Sequence, residues 1–599
     1  MMNMDISQAV RSQPRQSGNR KRVWLFRSLY FIAMTILAVL RVRCGLLVGN
    51  YFLSAQSFDD ALMMRYAAIR THFTSPDAWS LCKTMGYPLF ILAGHVLHIS
   101  YTMMVNLLWV AAAFSFWRMM ERLFRQHILS LLLYAYVLFF PTAFDYLIGT
   151  RIYRNSIIAP FVLLTFSLMM LNLYACAGKE EKTCVMIFRA LLTGLIFTFT
   201  CYIKEDGAWI VVSAGFFSAV CLIALVVRTV RRGKRERNLR SFAVRVICLI
   251  LPGVIYFAGT EWYLSLNKKY FGVREIQTRT EGELGEFSKN LYAVEAEGRS
   301  AAVWVPKDAI DQIVEVSPTL QSETGFLKDL YHSPWCGEDL MKNPFRGDLI
   351  TWAVRYALDQ SGLWTSDAEV ENLFARINRE VEAAFRDGRL KKSDRFQLQS
   401  SAGGMTKAEI RELFPLVRDA FRCAVHLDSY NATISDNDTT NPEMTELAEK
   451  MTGLHNLAEN RDEQKRAAGE KSGRRIFAVY RVINPVLLAL SVLMIVLSVL
   501  RAIITAVHEK RDAETSRRLR YAGCVFVFLG IGAVYAFAIA WFTCFLFEDG
   551  VVVGLLNFYS VGLPAIFAMA YGIGAAELVR MIRRTVAERM KRTQRKQKL

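Results

Sequence analysis

The stretch RSLYFIAMTILAVLRVRCGLLV, residues 27–48, decides the fold. It is apolar for longer than a helix in a soluble core needs, and its cations sit toward its ends, where they can reach water, so it reads as a membrane-spanning helix. Similar runs recur at both ends of the chain, at 101–117, 128–144, 155–177, 190–203, 208–227 and 246–266, and again at 476–500, 521–547 and 551–577. With 53% of all residues hydrophobic, the expected fold class is an all-α polytopic membrane protein of about ten transmembrane helices, the fifth of them short.

The net charge of +19 is unevenly spread. RKRVWLFR, RMMERLFRQ, the segment 179–189, RTVRRGKRERNLR, HEKRDAETSRRLR and the final RRTVAERMKRTQRKQKL all fall on one side of the alternating spans, while the long segment 267–475 is acidic on balance. Short cationic loops stay on the cytoplasmic side, so both termini are expected in the cytoplasm and 267–475 outside. The excess charge is then a topology signal, with membrane lipids as its partner. Nucleic-acid binding is disfavoured, because the basic blocks flank spans and lack interleaved aromatics on a folded module. A cleavable leader is not expected, because the first span is long and lacks a small-residue cleavage site.

The chain divides into a basic tail (1–23), a seven-helix membrane module (24–266) with its first outer loop at 49–100, an extracytoplasmic insert (267–475), three further spans (476–577) and a second basic tail (578–599). Within the insert, SDAEVENLFARINREVEAAF and TKAEIRELFPLVRDAFRCAV carry apolar residues at three- and four-residue intervals. Ser366 with Glu369 and Thr406 with Glu409 form capping-box starts, so a mostly α-helical insert is expected. VWVPKDAIDQIVEVSPT has no decisive period, and ISDNDTTNPEM reads as a loop before another short helix. The eleven cysteines show no metal-ligand spacing; a Cys336–Cys423 bridge is one open pairing. His95 and His98 lack a nearby carboxylate and read as packed interfacial residues.

The chemistry-bearing residues gather in short loops on the insert side. SFDDALMMRYA (57–67) puts Asp59 and Asp60 just after the first span, ahead of an amphipathic helix pattern, and LCKTMGYPLF (81–90) follows with Lys83. TRIYRNS (150–156) contributes Arg151 and Arg154, and KEDGAW (204–209) contributes Lys204, Glu205 and Asp206. A carboxylate at a membrane surface can take a proton from an acceptor hydroxyl, and a fixed cation can neutralise the phosphate of a leaving lipid. The bland alternatives are that Asp59 and Asp60 favour a helix N-terminus and that Lys83 snorkels. Arg41 and Arg43 interrupt the first span near its outer end, where an interfacial position and a phosphate-binding role are both open.

The order of carboxylate pair, RYA, lysine and YPLF resembles the first outer loop of the GT-C superfamily of integral-membrane glycosyltransferases, notably the aminoarabinose transferases and protein O-mannosyltransferases. KEDGAW is similar to the REEG-W turn of a set of bacterial membrane proteins, with Lys204 in place of arginine. The chain departs from the pattern where KTMGY lacks a double proline and TRIYRNS lacks Arg-x-Asp; the likeness covers under half of its length. The resemblance implies a seven-span module in a bacterial cell membrane and an inverting transfer of a sugar from a polyprenyl-phosphate donor to a glycan, lipid or protein acceptor outside. It implies Asp59 as base with Asp60 beside it, and Lys83 on the donor phosphate. Arg151 or Arg154 would assist Lys83, and Lys204 and Glu205 would line the same site. A divalent cation, Mg or Mn, held by Asp59, Asp60 and Glu205 is chemically reasonable for oxygen ligands. Competing functions are a transporter or flippase of lipid-linked glycans, an envelope-assembly scaffold, and a glycan polymerase or ligase. Fold likeness does not separate these.

Overall fold

The computed structural model describes residues 17–55, 57–69, 75–177, 181–231, 239–336, 344–459, 462–507, 513–546 and 554–598. Among them nine helices are long and apolar enough to cross a membrane, six before the insert and three after it. Before the insert run α1 (Ser17–Val48), the short α2 (Phe58–Ile69) and α3 (Gly86–Leu97), then α4 (Tyr101–Phe124), α5 (His127–Leu138), α6 (Asn155–Ala177), α7 (Thr183–Cys201), α8 (Ala208–Arg231) and α9 (Leu239–Phe271). The protein is therefore an all-α polytopic membrane protein by the length and composition of its helices. α6 is buried on nearly every side, whereas α1 and α9 leave rows of large apolar residues exposed, such as Phe31, Ile36 and Leu40, or Ile250, Val254 and Phe257. That is how helices look when lipid takes the place of protein neighbours.

Three expected spans differ. Residues 128–144 form only the 12-residue α5 and a 3₁₀ turn at Pro141–Ala143, about 18 Å of α-helix. The proline lacks the amide hydrogen an α-helix would use there. The segment nevertheless runs from one end of the bundle to the other. The carbonyl of His127 accepts from Tyr30 Oη near the start of α1, while Asp145, just past the turn, accepts from the amide of Asn431 in the insert. The fifth span is not short: α7 extends back to Thr183 and reaches 19 residues. The expected span at 551–577 begins later. Residues 547–553 lie outside the described residues, Gly554–Tyr559 is a separate short helix, and the membrane-length helix starts at Leu563.

The insert is helical as its periodicity predicts. α10 (Gly282–Ala293), α11 (Lys307–Val316), α12 (Pro318–Ser322), α13 (Thr324–Tyr331), α14 (Leu349–Gln360) and α15 (Asp367–Arg386) enclose a second core around Phe287, Trp304, Ile313, Phe326 and Phe374, which Ala540 and Trp541 from beyond the insert join. The ambiguous VWV segment becomes β1 (Val303–Val305), paired antiparallel with β2 (Phe345–Arg346). Ser366 caps α15 through the Glu369 amide, and Thr406 with Glu409 makes the complete capping box of α16 (Lys407–Glu412). Pro415 starts a new helix, α17 (Phe414–His426), where the sequence reads as continuous. α17 and α18 (Pro442–Thr452) belong to the core of the membrane helices. The 45-residue α19 (Glu463–Val507) then carries the chain from the insert through the bundle, followed by α20 (Ala513–Thr543), α21 (Gly554–Tyr559) and α22 (Leu563–Lys598). The Cys336–Cys423 disulfide does not form: the two residues lie in different cores.

Candidate functional site

Asp59 and Asp60 occupy the first turn of α2, which favours carboxylates, and Ser57 Oγ accepts from the Asp60 amide at 3.4 Å. Consecutive helical residues point about 100° apart, so the two acids meet different partners. α2 is also less amphipathic than its sequence suggests, with Leu62, Met63, Met64, Tyr66, Ala67 and Ala68 all buried.

Asp60 turns inward. Its carboxylate is fully buried and accepts two parallel bonds from Arg151, Nη2 to Oδ1 at 2.7 Å and Nε to Oδ2 at 2.9 Å. Arg151 is delivered there by an extended stretch that exchanges backbone bonds with the chain after α1: Tyr51 N donates to Thr150 O, and Ile152 N to Tyr51 O, each at 2.9 Å. Burial pushes the Asp60 carboxyl up to about 6, with Arg151 opposing the rise.

Asp59 turns toward the insert. Tyr153 Oη donates to its Oδ2 at 2.8 Å, and Lys83 Nζ lies 3.4 Å from the same carboxylate. Burial works to raise its pKa, but Lys83, then Arg154 and the Tyr153 hydroxyl, outweigh burial and hold it below the usual carboxylate range. Glu205 comes from the turn between α7 and α8, where Arg154 Nη1 donates to both carboxylate oxygens at 2.6 and 2.7 Å. Burial opposes ionisation of Glu205 as well, yet Arg154 and Lys83 keep it well below its ordinary range. Two glycines allow these loops to close on one another. A Cβ on Gly86 would stand 2.3 Å from Tyr202 O, and one on Gly207 would stand 2.1 Å from Cys201 O.

Asp59, Lys83, Arg154 and Glu205, which the sequence places in separate loops, thus form one cluster, with the Asp60–Arg151 pair behind it. Lys204 stands aside, 3.9 Å from Asp206, which also accepts from Tyr535. Arg41 is not in the cluster: it is buried against Asn106 Oδ1 at 2.5 Å and the Phe144 ring, while Arg43 is exposed. Asp59, Asp60 and Glu205 do not make a metal centre. Each faces a different cation, and no group of three potential ligands forms among the described residues.

Sequence reasoning misses the insert's share. Arg279, just before α10, is ion-paired with Asp348, and its guanidinium lies 4.7 Å from the centre of the Trp352 ring; Lys83 Nζ lies 4.6 Å from the same ring. Nothing in QTRTEG marks Arg279. Tyr153 was legible only as the residue between two arginines; its ring lies within 5.3 Å of both guanidinium carbons and stacks on Phe558. The cluster has a consistent layering. The side chains of Lys83 and Arg154 are 4% and 8% exposed, whereas those of Asp59 and Asp348 are each 32% exposed. Cations lie beneath, carboxylates above. Burial pulls the Lys83 ammonium down to about 8, with Asp59 resisting. No protein-family model matches this chain, and neither a curated protein nor a solved structure matches it.

Proposed function

We propose that the protein is a GT-C-type inverting glycosyltransferase of a bacterial cell membrane, moving a sugar from a polyprenyl-phosphate donor to an acceptor outside the cell. On this reading α1 to α9, with α5 as the short crossing, make the seven-span module, the termini are cytoplasmic and the insert is external. The single supporting observation is the convergence of Asp59, Lys83 and Arg154 at the insert-side end of the bundle.

The acceptor oxygen attacks the anomeric carbon while the bond from that carbon to the donor phosphate oxygen breaks. The acceptor proton passes to Asp59, and the polyprenyl phosphate leaves toward Lys83, Arg154 and Arg279. These cations are paired in the resting protein, so the donor phosphate must compete with Asp59 for Lys83 and with Glu205 for Arg154. That competition has a chemical use. Lys83 is the leading influence holding the Asp59 carboxyl down, so drawing Lys83 onto phosphate raises the basicity of Asp59 when a donor is present.

The complete pairing of the cluster also favours a second reading, an envelope-assembly scaffold in which these ion pairs only tie loops and insert together. Direct binding separates the two. Full-length protein in nanodiscs should bind a polyprenyl monophosphate, and Lys83→Ala should weaken that binding about tenfold or more. Equal binding by parent and variant would leave the scaffold as the better account.

A further inference from the structure

Next to the charged cluster lies an aromatic group that the proposed reaction does not use. Phe58, the residue before Asp59, is 40% exposed, and its ring is edge-on to three tryptophans, 4.8 Å from Trp79, 5.7 Å from Trp335 and 5.9 Å from Trp352. Trp335 is partly exposed and stacks on the buried Trp352 at 5.4 Å, and Trp352 is the ring against which Lys83 and Arg279 rest. Carboxylates border this surface. Asp59 adjoins Phe58, Asp348 is held by Arg279, and the exposed Asp359 accepts from Trp79 Nε1 at 3.3 Å.

Packing alone does not call for a large ring left 40% exposed at the first turn of a mostly buried helix, beside partly exposed acids. A pyranose ring has an apolar C–H face and a rim of hydroxyl donors. Exposed aromatic faces fit the first, and carboxylate acceptors fit the second. The groups exposed here are carboxylates while their partner cations lie beneath, so the rim offers acceptors to hydroxyl and ammonium donors and no exposed cation to an acidic sugar.

We infer that Phe58 and Trp335, with Asp348 and Asp359, form a saccharide-binding platform for an uncharged or amino-bearing glycan, which presents the acceptor hydroxyl to Asp59. Its place in the reaction rests on the glycosyltransferase reading; the platform itself is tested by binding alone.

The experiment uses full-length protein in nanodiscs, with saturation-transfer NMR and tryptophan fluorescence titration against cellopentaose, glucosamine pentaose, pentagalacturonate and pentalysine. The parent should bind cellopentaose or glucosamine pentaose, with saturation reaching ring C–H protons, and should bind pentagalacturonate at least about tenfold more weakly. Phe58→Ala and Trp335→Ala should each weaken binding about tenfold. Phe58→Leu keeps apolar volume but loses the ring face, and it should show the same loss. Phe58→Tyr should stay within about threefold of the parent. All four variants should keep polyprenyl monophosphate binding. Absence of saccharide binding by the parent, equal binding by the alanine variants, a preference for pentagalacturonate, or binding of pentalysine in place of saccharides would each overturn the inference. If saccharide binding fails while the lipid phosphate binds, the platform falls alone; the reverse result removes the donor site and leaves the platform standing.

Discussion

Replacing Arg151 with Met separates the two adjacent acids most sharply. The substitution keeps much of the side chain's length and removes the charge, leaving Asp60, whose carboxylate is fully buried, without the two bonds it receives at 2.7 and 2.9 Å. Breaking a buried pair from one side costs about 3–5 kcal/mol, because the remaining charge has lost both water and partner. The cost should depend on pH in a set direction. Burial pushes the Asp60 carboxyl up to about 6 in the folded protein, above its ordinary range, so the folded state favours its protonated form, and that contribution is lost as pH rises through about 6. Without Arg151 the preference strengthens. Arg151→Met should therefore be most destabilised at pH 7.5 to 8 and markedly less so near pH 5, where Asp60 can become neutral. Asp60→Asn combined with Arg151→Met should recover part of the loss. The assay is thermal unfolding in detergent micelles across that range, with parent protein at each pH. A loss under about 1 kcal/mol at pH 8, or one that does not shrink on acidification, would refute the assignment of Asp60 as a buried brace.

Other outcomes rest on the same geometry. Asp59→Asn should lower transfer about a hundredfold to ten-thousandfold while donor binding persists, since the amide keeps the shape but cannot take a proton; turnover within a few-fold of the parent would remove Asp59 from the base role. Lys83→Ala and Arg154→Ala should each weaken lipid-phosphate binding, and their combination should depart from additivity because both act on one group. In the parent that affinity should fall as pH rises through about 8, where the buried Lys83 ammonium gives up its proton, and Lys83→Ala should lose this pH step. A cysteine introduced at Asp436 should be labelled by an impermeant reagent in intact cells; labelling only after permeabilisation would reverse the orientation and with it the external site. Gly86→Ala should destabilise the protein by about 1–3 kcal/mol on thermal unfolding, because its Cβ would stand 2.3 Å from the Tyr202 carbonyl oxygen, which cannot move without shifting the Glu205 turn.

The helical membrane class, six of the long spans ahead of the insert and the helical insert were legible because they rest on local physics. A bilayer demands a continuous apolar run, and an amphipathic helix demands a fixed period, both of which a single sequence displays. Ser366 and Thr406 mark helix starts for the same reason, as each cap is made within four residues. Where reading failed, the deciding partner was distant or a breaker was underweighted. Pro141 ends α5 early and Pro415 divides a continuous apolar pattern, although both prolines stand in plain view.

For the site, the sequence by itself determined which residues could carry charge chemistry and that Asp59, Lys83, Arg154 and Glu205 stand beside spans in short loops. Only the tertiary structure decided what each does there. Two adjacent aspartates are equivalent in a sequence, but the 100° between helical neighbours sends Asp60 into a buried pair with Arg151 and leaves Asp59 facing Lys83 and Tyr153. Arg279 and Trp352 had no signal at all, because they reach Lys83 from the insert, about two hundred residues or more away in the chain. Electrostatic influence falls with distance in space and is blind to separation along the chain, so the protonation and pairing of this cluster belong to the fold.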